Sequence, residues 1–394
     1  MTDPARPRPV WRLTVAGLCA TLVGIGLARF AYTPLLPALI TGGWFPSSQA
    51  AYLGAANLAG YLAGALGARP LARRLPARAI LRAMMGLVGV AFLACATPRS
   101  FSWFFLWRFV SGVAGGVVMV LAAPTVLPHV PAARRGLAGG AIFTGVGLGI
   151  AASGTVVPLL LERGLATTWN GLGVISLVLT ALAWGGWPAD ATPATPKPAP
   201  SRPARGGAAL GALYVGYALN AAGLVPHMIF LVDFVVRGLG QGIASGARYW
   251  VLFGLGAVLG PMLAGAVADR IGFGRALRGA LAVQAAAVLL PTVSSAALAL
   301  AVSSLVVGAA VPGIVPLVLG RVHEILPGDP EGQHAAWSVT TMAFALGQAA
   351  SAYGFSFLYA RSGDYHPLFS LAAACLVLAL AIDLAARLAA PRPI

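Results

Sequence analysis

Long apolar runs, each ended by a short polar or basic stretch, recur along the whole chain. A hydrocarbon core of about 30 Å is crossed by roughly 20 helical residues. Twelve runs meet that demand, near residues 13–40, 48–68, 79–97, 101–124, 136–161, 168–187, 208–235, 247–267, 276–293, 296–320, 334–359 and 366–387. The pattern predicts an all-α membrane protein of twelve transmembrane helices. Residues 188–207, PADATPATPKPAPSRPARGG, are too polar and proline-rich to span or pack, and read as a cytoplasmic linker. They separate an N-terminal six-helix half, 1–187, from a C-terminal six-helix half, 208–394.

A shift of 196 residues aligns Arg108-Phe-Val-Ser-Gly112 with Ser304-Leu-Val-Val-Gly308, Arg73-Arg74 with Asp269-Arg270, and Trp169 with Tyr365. The halves therefore read as one six-helix unit duplicated. Two pseudo-symmetric repeats of this size are a transporter architecture.

Composition sharpens the picture by exclusion. Of 394 residues 59% are hydrophobic and 9% charged, with mean hydropathy +0.85, so polar side chains are too few to cover a water-soluble surface. The 50 glycines and 29 prolines lie mostly inside apolar runs without a three-residue period, which excludes collagen and disorder. A formal charge of +16 raises nucleic acid as a partner, but no basic stripe with interleaved aromatics exists, and none is expected. The charge reports topology instead. With a cytoplasmic N-terminus, inward segments hold 19 bases and outward ones only Arg99, Arg163, Arg237, Arg248 and Arg361, so both termini are expected in the cytoplasm. Trp11, Trp44, Trp103, Trp169, Trp187 and Trp250 fall near span ends, as an interfacial belt does. The basic, apolar start resembles a signal peptide, but the run continues past Ala28 without a small-residue cleavage pattern and is expected to stay as the first span. Cys19, Cys95 and Cys375 each sit in an apolar run and read as small hydrophobes, so neither a disulfide nor a metal is expected.

Four stretches resemble the major facilitator superfamily, whose fold sets two six-helix halves around a cavity that opens alternately to each side. Gly265-Ala-Val-Ala-Asp269-Arg270-Ile-Gly272-Phe-Gly-Arg275 is similar to its cytoplasmic gating loop, which implies gating roles for Asp269, Arg270 and Arg275. Arg108-Phe-Val-Ser-Gly112-Val-Ala-Gly115 is similar to its helix-4 arginine motif. Arg29-Phe-Ala-Tyr-Thr-Pro-Leu-Leu-Pro37 with Tyr52-Leu-Gly-Ala-Ala-Asn57-Leu-Ala-Gly60-Tyr61 resembles the YbfB/YjiJ branch, which implies transport without fixing a solute. The first gating loop, Arg69-Pro-Leu-Ala-Arg73-Arg74-Leu-Pro76, departs from the pattern in lacking its Asp. Helix 5 has Gly145-Val-Gly147-Leu-Gly149 in place of the Gly-Pro pattern of many drug antiporters.

Arg29 and Arg108 fall inside spans, where an arginine is costly and faces a wet cavity or a partner. Before the linker ends the only acids are Asp3, Glu162 and Asp190, so an anionic solute is the natural counter-charge. Backbone carbonyls at a kink, or an ion pair of the Glu162 kind, are the structural alternative. Tyr32 and Thr33, at i+3 and i+4 from Arg29, are expected to share its face, with Phe30 pointing elsewhere. Tyr217, Asn220, Leu224 and His227 put three polar groups on one stripe of helix 7, suggesting a cavity wall or helix-to-helix hydrogen bonds. Asn57 with Tyr61 on helix 2 has the same two readings.

His227 is the first candidate for carrying a coupling proton, unless it only bonds a backbone kinked at Pro226. Asp233 is the second, with Arg237 at i+4 suggesting an interfacial ion pair, and Asp383 with Arg387 reads as another such pair. The loop bearing His323, Glu324, Asp329, Glu331 and His334 fits no metal motif and reads as a solvated face.

The chain lacks a P-loop, a His-Glu-x-x-His motif and a nucleophile elbow, so it is not expected to be an enzyme or to use a cofactor. The expected function is a proton-coupled secondary transporter in the cytoplasmic membrane, working as a monomer in lipid and moving a small organic anion as its solute. The alternatives are an exporter of hydrophobic or cationic drugs and a non-transporting membrane sensor on a transporter fold. An exporter of cations would want a cavity carboxylate where this chain has Arg; a sensor would want an added signalling domain, which is not expected here.

Overall fold

Apolar runs without water must satisfy their backbone internally, and the computed structural model resolves them as helices. It describes residues 9–131, 134–188 and 207–389, so most of the 188–207 linker, Asp3, Asp190 and the His334 side chain lie outside the described residues. Twelve helical rods follow in order among those residues: α1 Val10–Thr41, α2 Ser47–Ala72, α3 Ala77–Ala94, α4 Phe101–His129, α5 Arg135–Leu161, α6 Leu165–Gly186, α7 Gly207–Ile229 with a continuation to Gly238, α8 Gly242–Ile271, α9 Phe273–Val293, α10 Ala297–Ile325, α11 Pro330–Ser362 and α12 His366–Ala389. Ten are long and apolar enough to cross a membrane. The other two, α2 and α11, have the length but dilute their apolar residues with alanine, glycine, serine and amides.

The chain divides into two compact units, Met1–Tyr32 with Ala59–Thr195, and Thr33–Leu58 with Pro196–Ile394. The C-terminal part of α1 and the N-terminal part of α2 thus pack with the C-terminal helices, whereas the remainder of both packs with the N-terminal ones.

The repeat seen at an offset of 196 reappears as a packing device. In the first unit a Cβ on Gly60 or Gly64 of α2 would strike the carbonyl of Phe109 or Val113 of α4. In the second, a Cβ on Gly256 or Gly260 of α8 would strike the carbonyl of Leu305 or Ala309 of α10. All four pairs are related by 196 positions. Two Gly-x-x-x-Gly faces therefore let backbones approach closely, the main source of association between helices that cannot gain from hydrophobic burial in lipid.

Both leading helices are broken. In α1 a π-helical turn covers Leu22–Leu27, and the α-helix is interrupted at Ala31, one turn before Pro34, which cannot donate to the Phe30 carbonyl. In α7 the interruption is at Phe230, and a π-helical turn follows at Phe234–Gly238. Discontinuous helices at equivalent positions of two repeats are where transporters build sites.

Candidate functional site: two charged clusters on broken helices

In the first unit the break in α1 sets two arginines apart. The interruption at Ala31 falls between Arg29 and Tyr32, so spacing rules for a continuous α-helix fail here. Arg29 lies half-buried with its guanidinium 5.2 Å from the Phe30 ring and 5.3 Å from the Tyr61 ring of α2. Phe30 does not point elsewhere, as the spacing predicted, but flanks the charge. Tyr32 instead faces Arg108, whose guanidinium carbon is 4.3 Å from the ring centroid. Arg108 is 2% exposed and donates from Nη1 to the Ala28 carbonyl at 2.8 Å. That carbonyl belongs to the broken stretch of α1, so Arg108 ties α4 to it. Close approach supports the tie, since a Cβ on Gly115 would strike the Gly24 carbonyl. Arg29 thus lies between aromatic faces, and Arg108 is closed by backbone and Tyr32.

In the second unit Asp233, fully buried, sits where α7 restarts after Phe230. Its Oδ1 accepts from Arg237 Nε at 2.7 Å, and its Oδ2 accepts from Tyr365 at 2.6 Å and more weakly from Tyr359 at 3.4 Å. Arg237 also donates from Nη2 to Tyr359 at 2.6 Å, and the two phenols are 2.8 Å apart. The pair is thus not merely interfacial; its acid is enclosed and only the arginine, 24% exposed, reaches outward. Burial and the Asp233 carboxylate hold the Tyr365 phenol well above its ordinary range, which keeps it a donor. The cluster binds α7 to the end of α11 and the start of α12.

The helix-7 stripe turns into its own bundle. Tyr217 packs on Phe344 with centroids 4.5 Å apart, and Asn220 donates from Nδ2 to Gln284 Oε1 of α9 at 2.7 Å. His227 is fully buried, with Nε2 2.7 Å from Ser303 Oγ of α10 and its ring edge-on to Phe369. Ser303 spends its only proton on the Ala287 carbonyl at 2.7 Å. The imidazole must therefore donate from Nε2. A side chain, and not the backbone kinked at Pro226, satisfies it. Asn57 is buried, and Thr33 donates its hydroxyl to the Met228 carbonyl.

Residues 21–384 match the family described as uncharacterised MFS-type transporter YbfB. The chain belongs to this family. Its fold is also that of solved major facilitator structures: nucleoside transporter NupG, in a variant form (TM-score 0.76, 12% identity, 96% of this chain and 99% of that one), D-xylose-proton symporter (0.75, 15%, 95% and 97%), and a bacterial homologue of the human lysosomal transporter Spinster in an inward-facing, occupied conformation (0.71, 16%, 98% of each). Among curated relatives, the 4-hydroxybenzoate transporter PcaK of Acinetobacter baylyi is 27% identical over 48% of this chain and that of Pseudomonas aeruginosa 29% over 44%. Each match spans only 38% of the relative's own length. A chloramphenicol resistance protein of Streptomyces lividans is 27% identical over 67% of each chain. Family and fold are those of transporters, which are not enzymes.

In this transporter the loop similar to the superfamily's gate is solvent-facing. Asp269, Arg270 and Arg275 are exposed, and among the described residues their side chains make no hydrogen bond or ion pair. The amide-capping role falls to Glu324 of α10, which sequence reasoning assigned to a solvated face. Its Oε1 accepts from the Phe273 amide at 2.8 Å and its Oε2 from the Gly274 amide at 3.1 Å, with Arg321 at 3.0 Å. A carboxylate there satisfies the orphan donors at the N-terminus of α9 and meets the positive end of its dipole. Glu324→Ala should lower thermal stability by about 1 kcal/mol, read as an earlier melt of detergent-purified protein, with Glu324→Gln intermediate. An unchanged melt for Glu324→Ala would show that water caps α9 equally well. Asp383 also has another partner than predicted: it accepts from Arg278 of α9 at 2.9 Å, not from Arg387 one turn along its own helix.

Tyr359, Tyr365, Gln284 and Ser303 went unassigned in sequence, because each acquires its partner from a different helix. The one available signal was the 196-residue alignment of Tyr365 with Trp169, which marked the position without its chemistry.

Proposed function

We propose that the chain is a proton-coupled secondary transporter that moves a small organic anion across the cytoplasmic membrane by alternating access. Residues 1–187 and 208–394 are the two halves that rock, both termini are cytoplasmic, and the working form is a monomer in lipid. The observation that carries this reading is the half-buried Arg29 guanidinium between the rings of Phe30 and Tyr61, at the broken part of α1. A guanidinium takes a carboxylate by its planar fork, and flanking rings suit an aryl group on the same solute. Support comes from the two relatives named for 4-hydroxybenzoate, an aromatic acid.

Arg108 supports the site by fixing the Ala28 segment against α4, with Tyr32 beneath it. Asn57, Tyr217 and Asn220 line the solute's path in other conformations of the cycle. Asp233 and His227 are the two proton-coupling candidates, and Asp269, Arg270 and Arg275 form the inner gate.

The test is binding of 4-hydroxybenzoate to the purified protein in lipid nanodiscs by titration calorimetry. Charged hydrogen bonds are worth about 1.5 to 3 kcal/mol, so Arg29→Gln should weaken binding by about tenfold or more, and Arg29→Lys by less. Wild-type affinity in Arg29→Gln, with normal melting, would overturn the anion contact. The chloramphenicol-resistance relative favours a second reading, drug export. Raised chloramphenicol tolerance in expressing cells, together with no binding of 4-hydroxybenzoate, would establish it over the first.

A further inference from the structure

Asp233, Arg237, Tyr359 and Tyr365 close a circuit of hydrogen bonds that lies wholly within the second unit. A carboxylate has no proton to give, so Tyr365 spends its single hydroxyl proton on Asp233 Oδ2 at 2.6 Å. At the 2.8 Å contact between the phenols Tyr359 is therefore the donor and Tyr365 the acceptor. Arg237, which can only donate, supplies Tyr359 from Nη2 at 2.6 Å and Asp233 Oδ1 from Nε at 2.7 Å. Each bond of the circuit has one donor and one acceptor while Asp233 is ionised. A proton on Oδ1 would confront Arg237 Nε, and one on Oδ2 would confront the Tyr365 hydroxyl. Turning Tyr365 round to accept would send its proton to Tyr359, whose own proton then has no acceptor in the circuit, on a residue only 3% exposed. The closed circuit therefore favours the charged carboxylate.

Both phenols come from one turn. Gly363, left-handed at φ +66°, ends α11 with its amide donating to the Tyr359 carbonyl at 2.8 Å, and the chain returns with Tyr365 just before α12, the two rings 4.9 Å apart. Among the described residues, Arg237 from α7, Tyr359 from α11 and Tyr365 from the start of α12 are the charged or titratable groups that reach the carboxylate. From α8 the same stretch meets Gly246, which lies against Val232 and Val236. The other ionisable groups of the turn are occupied elsewhere: Asp364 caps the His366 amide, the His366 ring stands edge-on to Phe234, and Arg361 lies over the Phe357 ring. We propose that Tyr365, backed by Tyr359, is a positioning residue that keeps Asp233 ionised while the α11–α12 turn is docked, and so sets the pH at which the coupling proton is taken up. This role rests on Asp233 being the proton carrier of the cycle. A turn that swings away withdraws the phenol and lets Asp233 accept a proton, and by reciprocity a protonated Asp233 holds the turn less tightly.

Infrared difference spectra of the protein in lipid nanodiscs, taken along a pH titration without solute, read the carboxylic acid of Asp233 directly, its band being assigned by its loss in Asp233→Asn. Tyr365→Phe keeps the aromatic ring and the Arg237 pair but removes a donor that serves the ionised form alone. Protonation becomes easier, and the midpoint should rise by about one pH unit, a tenfold gain in proton affinity. Tyr359→Phe leaves Tyr365 able to donate and should move the midpoint the same way by less. Thermal melting checks that each variant is folded; a purely structural role would lower the melt without moving the midpoint. A folded Tyr365→Phe with its midpoint at or below the wild-type value would overturn the role of the phenol and leave Asp233 as carrier. If Tyr365→Phe does not fold, Tyr359→Phe decides alone, an unmoved midpoint overturning the proposal. A larger rise in Tyr359→Phe than in a folded Tyr365→Phe would overturn the order of the circuit. No acid band from Asp233 at any pH the fold survives, in wild type and variants alike, would remove Asp233 from proton coupling and the proposal with it.

Discussion

Asp233→Asn should abolish accumulation driven by a pH gradient and destabilise the protein by about 3 kcal/mol. The carboxylate is fully buried and accepts from Arg237, Tyr365 and Tyr359, so both oxygens are occupied. An amide keeps the shape but loses the charge, and its NH₂ must face either the Arg237 guanidinium or the Tyr365 hydroxyl. A proton arriving at Asp233 would do the same, loosening Arg237 and freeing α7 from the α11–α12 turn. The variant therefore imitates the protonated state permanently. Exchange of labelled for unlabelled 4-hydroxybenzoate across proteoliposomes, which needs no net proton movement, should persist. His227→Gln is the companion measurement: its imidazole donates to Ser303, a bond that a glutamine amide can replace, so gradient-driven accumulation should survive. Accumulation lost in His227→Gln and kept in Asp233→Asn would assign the proton to His227 instead.

Gly64→Val and Gly260→Val should each cost about 3 kcal/mol or more and sharply reduce the yield of folded protein. At both positions a Cβ would strike a backbone carbonyl, that of Val113 in α4 or Ala309 in α10, so relief requires moving a whole helix. Overpacking against mobile side chains costs about 1–3 kcal/mol, and a rigid backbone puts these sites at the upper end or beyond. Gly265→Ala, at a position on the same α8 helix where a Cβ meets nothing within 4 Å, is the internal control and should be near neutral or slightly stabilising. Thermal melting of the three variants in one detergent decides the matter. Similar melts for Gly260→Val and Gly265→Ala would mean that α8 and α10 do not depend on backbone contact.

The approximate limits of the membrane helices and the duplicated half could be read directly from the sequence, because a bilayer imposes a length and an apolar composition on every span and short polar breaks mark their ends. The 196-residue offset was legible for a related reason: Gly60 and Gly256, or Gly64 and Gly260, are needed at equivalent crossings, and a backbone approach admits no other residue. Arg29, Arg108 and Asp233 stood out since a charge in an apolar run is rare whatever surrounds it.

What surrounds them was decided by tertiary structure. The interruption at Ala31 falls between Arg29 and Tyr32, and Tyr32 faces Arg108 while Phe30 flanks Arg29, against the i+3 and i+4 rule. Asp383 chose Arg278 over Arg387, and Glu324 reached the α9 amides, because a neighbouring helix offered a better-aligned donor than the next turn of the same one. Periodicity reports which residues share a face of one helix. It carries no information on which helix lies opposite, and every charge and buried amide in these clusters takes its chemistry from that neighbour.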